Sequence, residues 1–277
     1  MRNNKQKPSS DLVKKESATL PAVANMFAAD AGAGMEGASV ESFAIPFLNV
    51  LQKGSPQVDE ASGTAIPGAK AGMLYENISG QLIDGKTGIT IIPCAYRRVF
   101  LHWSESKGFQ GEMLPEEVAK KRADGIIVES KNRLYLPEKK GGAIDPEETD
   151  RIADARNHYV LIIDPKTGAW RQALVSLGST QIKKSRALMT ALASVKMEMN
   201  GSLITPATFA NVVKVTTVPE SNDKGTWFGW KFELNGFVGS PDIYNAAKHF
   251  HKSVVEGQVK ARYEDADVTS EAEKKGF

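Results

Sequence analysis

The sequence predicts a mainly β, α+β fold: an antiparallel barrel or sandwich carrying two packed helices, with disordered termini. Three observations lead there. From residue 72 onward, strand-length runs of β-branched and aromatic residues recur between Gly-, Pro-, Asp- and Asn-containing turns. Only two long segments, 180–199 and 240–260, repeat apolar residues at the helical period. Strands and helices do not alternate regularly, which argues against a doubly wound parallel sheet.

Residues 1–42 read as a disordered arm. Phe27 is the one aromatic before residue 43, so little apolar surface exists there to offset ordering entropy. A short helix is expected over 20–29. Order begins at 43–52, FAIPFLNVLQ, an extended segment interrupted by Pro46. Residues 72–79 form a short strand, GQLIDGKTG supplies turn chemistry, and 89–103 make a strand pair or one bent strand with Pro93 at the break. Residues 104–157 read as an irregular insertion holding a short helix at 115–124, a hairpin at 126–136 and a mobile loop at 137–150.

HYVLIIDPKTGAWRQALVSL is a hairpin around the 164–168 turn. The helix over 180–199 takes Ser179 or Thr180 as N-cap and turns Ile182, Met189, Leu192, Val195 and Met199 to one side. Two strands, 210–218 and 226–234, flank SNDKG. The last helix opens on Ser240-Pro241, an N-cap and N1 pair, and buries Ile243, Ala247, Phe250 and Val254. The ordered domain therefore spans 43–262, and 263–277 is an acidic tail ending in Phe277.

The net charge of +2 divides into +5 over residues 1–263 and −3 over 264–277, a mild excess that permits a polyanion partner. No apolar run approaches the roughly 20 residues of a membrane helix, so no membrane partner is expected. No signal-type apolar segment follows the basic N-terminus. The single cysteine, Cys94, agrees with a reducing cytoplasm.

Catalytic constellations are not expected. Gly80–Thr87 fits the phosphate-loop pattern G-x-x-x-x-G-K-[ST], but a phosphate loop must open a helix. Here Gly-Ile-Thr-Ile-Ile-Pro follows, with Pro93 where the helix would continue, so the segment reads as a hairpin turn. His249 and His251 lie two apart on a helix and cannot chelate one ion. His102, His158 and the lone cysteine complete no zinc pattern. There is no G-x-S-x-G elbow and no H-E-x-x-H. The expectation is a protein that is not an enzyme and carries neither metal nor cofactor.

Three segments interleave aromatic and basic residues, the two devices that grip single-stranded nucleic acid. In the first, strand alternation puts Tyr96, Arg98, Phe100 and His102 on one face and Val99, Leu101 and Trp103 on the other, with Arg97 at the rim. The first face reads either as a stacking surface flanked by charge or as a half-buried strand under a loop. The second is Lys183, Lys184 and Arg186 at a helix start, where cations oppose the macrodipole and so point to phosphate contact. The third is Lys224, Trp227 and Lys231 in KGTWFGWK, where one face of the strand is core. The acidic tail reads either as a partner-binding element anchored by Phe277 or as a frayed end.

IPFLNVLQKGSPQV, IIPCAYRRVFLHW, the STQIKKSRALM helix start and KGTWFGW followed by a helix, together covering most of 43–260, resemble phage-encoded single-stranded DNA-binding proteins with an OB-fold core. The resemblance implies an OB-like barrel and sequence-tolerant binding of single-stranded DNA in phage replication or recombination, in the cytoplasm of a bacterial host. It also implies replication proteins as partners of the tail. Homo-oligomerisation is compatible with it. The competing expectation is a phage virion or assembly protein that binds no nucleic acid.

Overall fold

The computed structural model describes residues 26–31, 33–38, 43–223 and 225–263. Two compact units divide at Ser42/Phe43. In the first, residues 26–29 form one helical turn; the rest of the expected arm lies outside the described residues, as does the tail from 264 on.

The second unit is built on an eight-stranded antiparallel sheet. In chain order its strands are β4 (Ile89–Ser104), β5 (Gly108–Met113), β6 (Val128–Ser130), β7 (Arg133–Leu136), β8 (Asp150–Ile163), β9 (Trp170–Gly178), β12 (Asn211–Asn222) and β13 (Gly225–Phe237). Neighbours run β13-β12-β4-β8-β7-β6, with β5 on β4 and β9 on β8. Three short strands, β1 (Leu48–Val50), β2 (Leu74–Glu76) and β3 (Leu82–Ile83), make a small separate sheet. A two-stranded ribbon pairs β10 (Met197–Met199) with β11 (Ser202–Ile204). The helices are α1 (Pro115–Ala123), α2 (Ile182–Ser194) and α3 (Pro241–Val255).

β4 and β8 are long because each serves two parts of the sheet. β4 is one bent strand, and its register against β8 shifts between Pro93 and Ala95. Proline has no amide hydrogen for the ladder, so the shift falls where a donor is missing anyway. The sheet curls into an antiparallel half-barrel. Its inner face buries Ile89, Ile91, Val160, Ile162, Val175, Val213 and Trp230 against β1, β2 and the Leu188 and Leu192 face of α2. Its outer face buries Ile92, Val99, Leu101, Tyr159 and Leu174 against Phe250 and Val254 of α3. A smaller cluster of Phe100, Met113, Val118, Ile127 and Ile152 lies under α1.

Side-chain amides cover part of the open edge of β13. Gln52, just after β1, donates through Nε2 to the Phe228 carbonyl at 2.8 Å and accepts from the Phe228 amide at 2.8 Å. One glutamine thereby reproduces the bonds of a strand residue. On its other side β1 is approached by β9, through a parallel bridge between Phe47 and Leu174.

Several expected elements differ. The helix expected over 180–199 ends at Ser194, and its N-cap is Gln181 after a 3₁₀ turn at Ser179–Gln181, not Ser179 or Thr180. Met199, expected on the helix's apolar side, stands exposed in β10. The chain turns there at Asn200-Gly201, both with positive φ, the Asn-Gly turn of a two-residue hairpin. The stretch 104–157 is more regular than expected. Its helix and hairpin are present, but β5 precedes them and β8 already begins at Asp150. Tyr263, expected as the first tail residue, is buried, and its hydroxyl donates to Asn157 Oδ1 at 2.8 Å.

Candidate nucleic-acid interface

The phosphate-loop letters can be set aside on geometry. Residues 84–88 form a turn in which Asp84 Oδ1 accepts from the Thr87 amide at 2.7 Å, and a 16-residue strand follows it, not a helix. That bond, from a backbone amide to the ionised carboxylate, holds the Asp84 pKa below its ordinary value. Gly88 answers to β12, and Gly85 to both Thr217 of β12 and the Gly72 carbonyl ahead of β2. A Cβ at Gly85 would stand 1.9 Å from the Gly72 carbonyl oxygen, and one at Gly88 2.0 Å from the Val215 carbonyl oxygen.

A groove of about 780 Å³ opens where β7 and β9 leave the same edge of β8. Leu134 of β7 pairs with Ile152, and Gly178 of β9 pairs with Ala155, so Ala153 and Asp154 between them have no strand partner on that edge. Arg98, Arg122, Lys131, Arg133 and Arg151 line the groove, with Glu129 and Asp154 as its only carboxylates among the described residues. Two of its walls carry backbone in the left-handed region. Lys131 and Asn132 have φ of 49° and 62° in the β6–β7 turn, and Ser179 has φ of 47° where β9 enters α2. Paired positive φ is ordinary in a two-residue hairpin, but a serine there is uncommon.

Arg98 forks onto Asp154, with Nη2 at 2.8 Å and Nε at 3.2 Å, and its guanidinium lies 4.9 Å from the Phe100 ring centroid. The hydrogen bond to Asp154 raises the Arg98 pKa. Asp154 also accepts from Arg156 Nη2 at 2.9 Å, and Arg156 Nη1 donates to the Tyr96 hydroxyl at 3.0 Å. Tyr96 packs its ring 5.2 Å from that of His158, whose Nε2 shares a 2.7 Å hydrogen bond with Ser185 on α2. Burial, reinforced by the Arg156 charge, drives the His158 pKa down to about 4. Hydrogen bonds and one ring contact thus join the first basic segment to the second.

A second chain joins α2 to β13. Glu220 accepts from Lys184 Nζ at 2.6 Å, from Gln181 Nε2 at 3.2 Å and from the Trp227 indole nitrogen at 2.9 Å. Burial alone would raise the Glu220 pKa, but these three donors outweigh it and the pKa is lowered.

The expected site residues fall as follows. Tyr96 is half-buried, Arg98 is exposed, and Phe100 is only 6% exposed, packed in the cluster under α1. His102 lies on the same face, with Nε2 2.7 Å from Asp150 Oδ2. Arg97 sits on the opposite face and donates to the Val254 carbonyl at the end of α3. Lys183 and Arg186 are exposed, and neither has an acidic partner among the described residues. Lys184 is half-buried on Glu220. Trp227 is half-buried, and Lys231 is exposed beside Glu233 at 2.9 Å. Lys224 and Phe277 lie outside the described residues. Sequence reading missed Arg122, Lys131, Arg133 and Arg151. The signal was available in Lys131-Asn132, a hairpin turn that puts a cation at its tip. No group of three or more His, Cys, Asp or Glu able to hold a metal occurs among the described residues. No described helix is long and apolar enough to cross a membrane.

Residues 14–260 match the family described as Pam3 phage gp34-like protein. The chain belongs to this phage family. No curated protein and no solved structure matches it.

Proposed function

We propose that this phage gp34-like family member is a non-catalytic protein that binds single-stranded DNA with little sequence preference, in phage DNA replication or recombination in the bacterial cytoplasm. The observation that carries the reading is the groove between β7 and β9, where five cations face two carboxylates. Exposed Lys183 and Arg186 stand on α2, whose first residue, Ile182, lines the same groove. Phosphate contacts supply most non-specific affinity for nucleic acid, and unpaired cations gain most from them. A space of this size can hold a few nucleotides of single strand. The curled sheet, the plugging helix α2 and the Gln52 seam support reading the half-barrel as OB-like.

The buried rings modify the expectation. Phe100 and Trp230 are sealed in the core, so of the expected rings only half-buried Tyr96 and Trp227 remain for stacking; neither lines the groove, and affinity there rests chiefly on phosphate. Titration of the full chain with oligo-dT and with duplex of equal length, at two salt concentrations, tests the reading. The expected result is micromolar or tighter binding to oligo-dT, weaker binding to duplex, a steep loss with salt and quenched Trp fluorescence. Absence of oligo-dT binding at low salt removes the proposal. Recovery of the protein at fixed copy number in purified phage particles, without oligo-dT affinity, would mark an assembly component instead.

A further inference from the structure

The open edge of β13 is treated differently along its length. The hairpin closes with Asn222 opposite Gly225, so on β13 the residues facing away from β12 are Phe228, Trp230, Phe232 and Leu234. The first two are covered by side-chain amides: Gln52 takes both backbone groups of Phe228, and Gln181 Oε1 accepts from the Trp230 amide at 3.1 Å. No amide covers Phe232 or Leu234 among the described residues. From Glu233 to Phe237 every residue is exposed, and the apolar side chains there, Leu234 at 41% and Phe237 at 49%, face solvent. A row of unbonded amides and carbonyls beside exposed apolar side chains is a pairing template.

We infer that this edge, around Leu234, pairs antiparallel with the same edge of a second copy of the chain. An antiparallel edge is its own complement under a two-fold rotation, because donors meet acceptors in both directions. Charge selects the axis. A two-fold through Glu233 sets the two carboxylates directly opposite each other, which is unfavourable. A two-fold through Leu234 sets leucine against leucine and Glu233 against the Asn235 position of the second copy. The paired stretch is short, because β13 bulges between Leu234 and Phe237, with Gly236 at φ 85°, and regular pairing stops there. That register also ends beside Trp230, where Gln181 already occupies the edge. The dimer joins two curled sheets edge to edge.

Leu234→Pro is the informative variant. The Leu234 amide faces away from β12, so proline there removes no bond within the chain but blocks the intermolecular ladder. Leu234→Lys is the second variant; it keeps every backbone bond and places like charges on the axis. Sedimentation equilibrium of the full-length chain in the tens of micromolar is expected to give twice the 30.0 kDa chain mass for the parent. Each folded variant is expected to raise the dimer dissociation constant at least about tenfold, with folding checked by near-ultraviolet circular dichroism. A monomeric parent at these concentrations overturns the inference. So does a parent-like dimer in whichever variant folds. The readout is independent of DNA, so failure here leaves the binding proposal standing.

Discussion

Two side chains carry most of the testable electrostatics. His158 is buried between Tyr96 and Ser185 with its pKa driven down to about 4, against about 6.5 for a free histidine. Between these values the unfolded chain binds the proton and the folded chain does not, so this contribution is complete above about pH 6.5 and is lost as pH falls toward 4. The loss is on the order of 3 kcal/mol if the full shift counts. Urea unfolding across that window is expected to show it, and His158→Asn is expected to flatten the pH dependence. The second side chain is Asp154, the carboxylate shared by Arg98 and Arg156. It competes with any phosphate for an Arg98 side chain that is 40% exposed. Asp154→Asn is therefore expected to tighten oligo-dT binding severalfold, whereas Arg98→Ala is expected to weaken it by about 1 kcal/mol. An unchanged affinity in both would place Arg98 outside the interface. Face alternation made the grouping of Tyr96 with Arg98 legible in the sequence. The acidic partner was not, because Asp154 is 56 residues away and meets Arg98 only through strand register.

Among elements, the turn at 84–88 shows how a motif can be right in letters and wrong in role. Gly85→Ala is expected to cost at least about 2 kcal/mol, since the added Cβ meets backbone and Thr217 that cannot both yield. Lys86→Ala, which would abolish a phosphate loop, is expected to leave stability within about 0.5 kcal/mol. Thermal melts of the two variants distinguish the readings. The turn was legible because β-branched residues and Pro93 follow it. So were β4, the 164–168 hairpin and α3, which ends at Val255 and not near 260, but whose expected stripe of Ala247, Phe250 and Val254 is buried and whose Ser240 cap accepts from the Ile243 amide. The end of α2 was misjudged because Val195 and Met199 continue the helical spacing. Asn200-Gly201, the stronger local signal, instead sets a hairpin that leaves Met199 in solvent. The strand content of 104–157 was obscured because its strands sit at the sheet's far end, polar on one side.

At the scale of the whole molecule, the arrangement of charge makes a quantitative demand on binding. A net charge of +2 says little, because the cations that matter are selected by the fold. Around the groove and the start of α2, Lys131, Arg133, Lys183 and Arg186 have no acidic partner among the described residues, whereas Arg98 and Arg122 are held by Asp154 and Glu129. Each unpaired cation that meets a phosphate releases about 0.7 counterion from a single strand, so four of them give a log–log salt slope near −3. Freeing Arg98 with Asp154→Asn is expected to steepen the slope by about 0.7, and Lys131→Ala to reduce it by the same amount. Lys231→Ala, at a cation paired with Glu233 that does not line the groove, is expected to leave it unchanged. A slope near zero with retained affinity would mean that the strand is held by stacking and hydrogen bonds elsewhere. A slope that responds to Lys231 but not to Lys131 would move the path of the DNA off the groove and onto the β12–β13 hairpin.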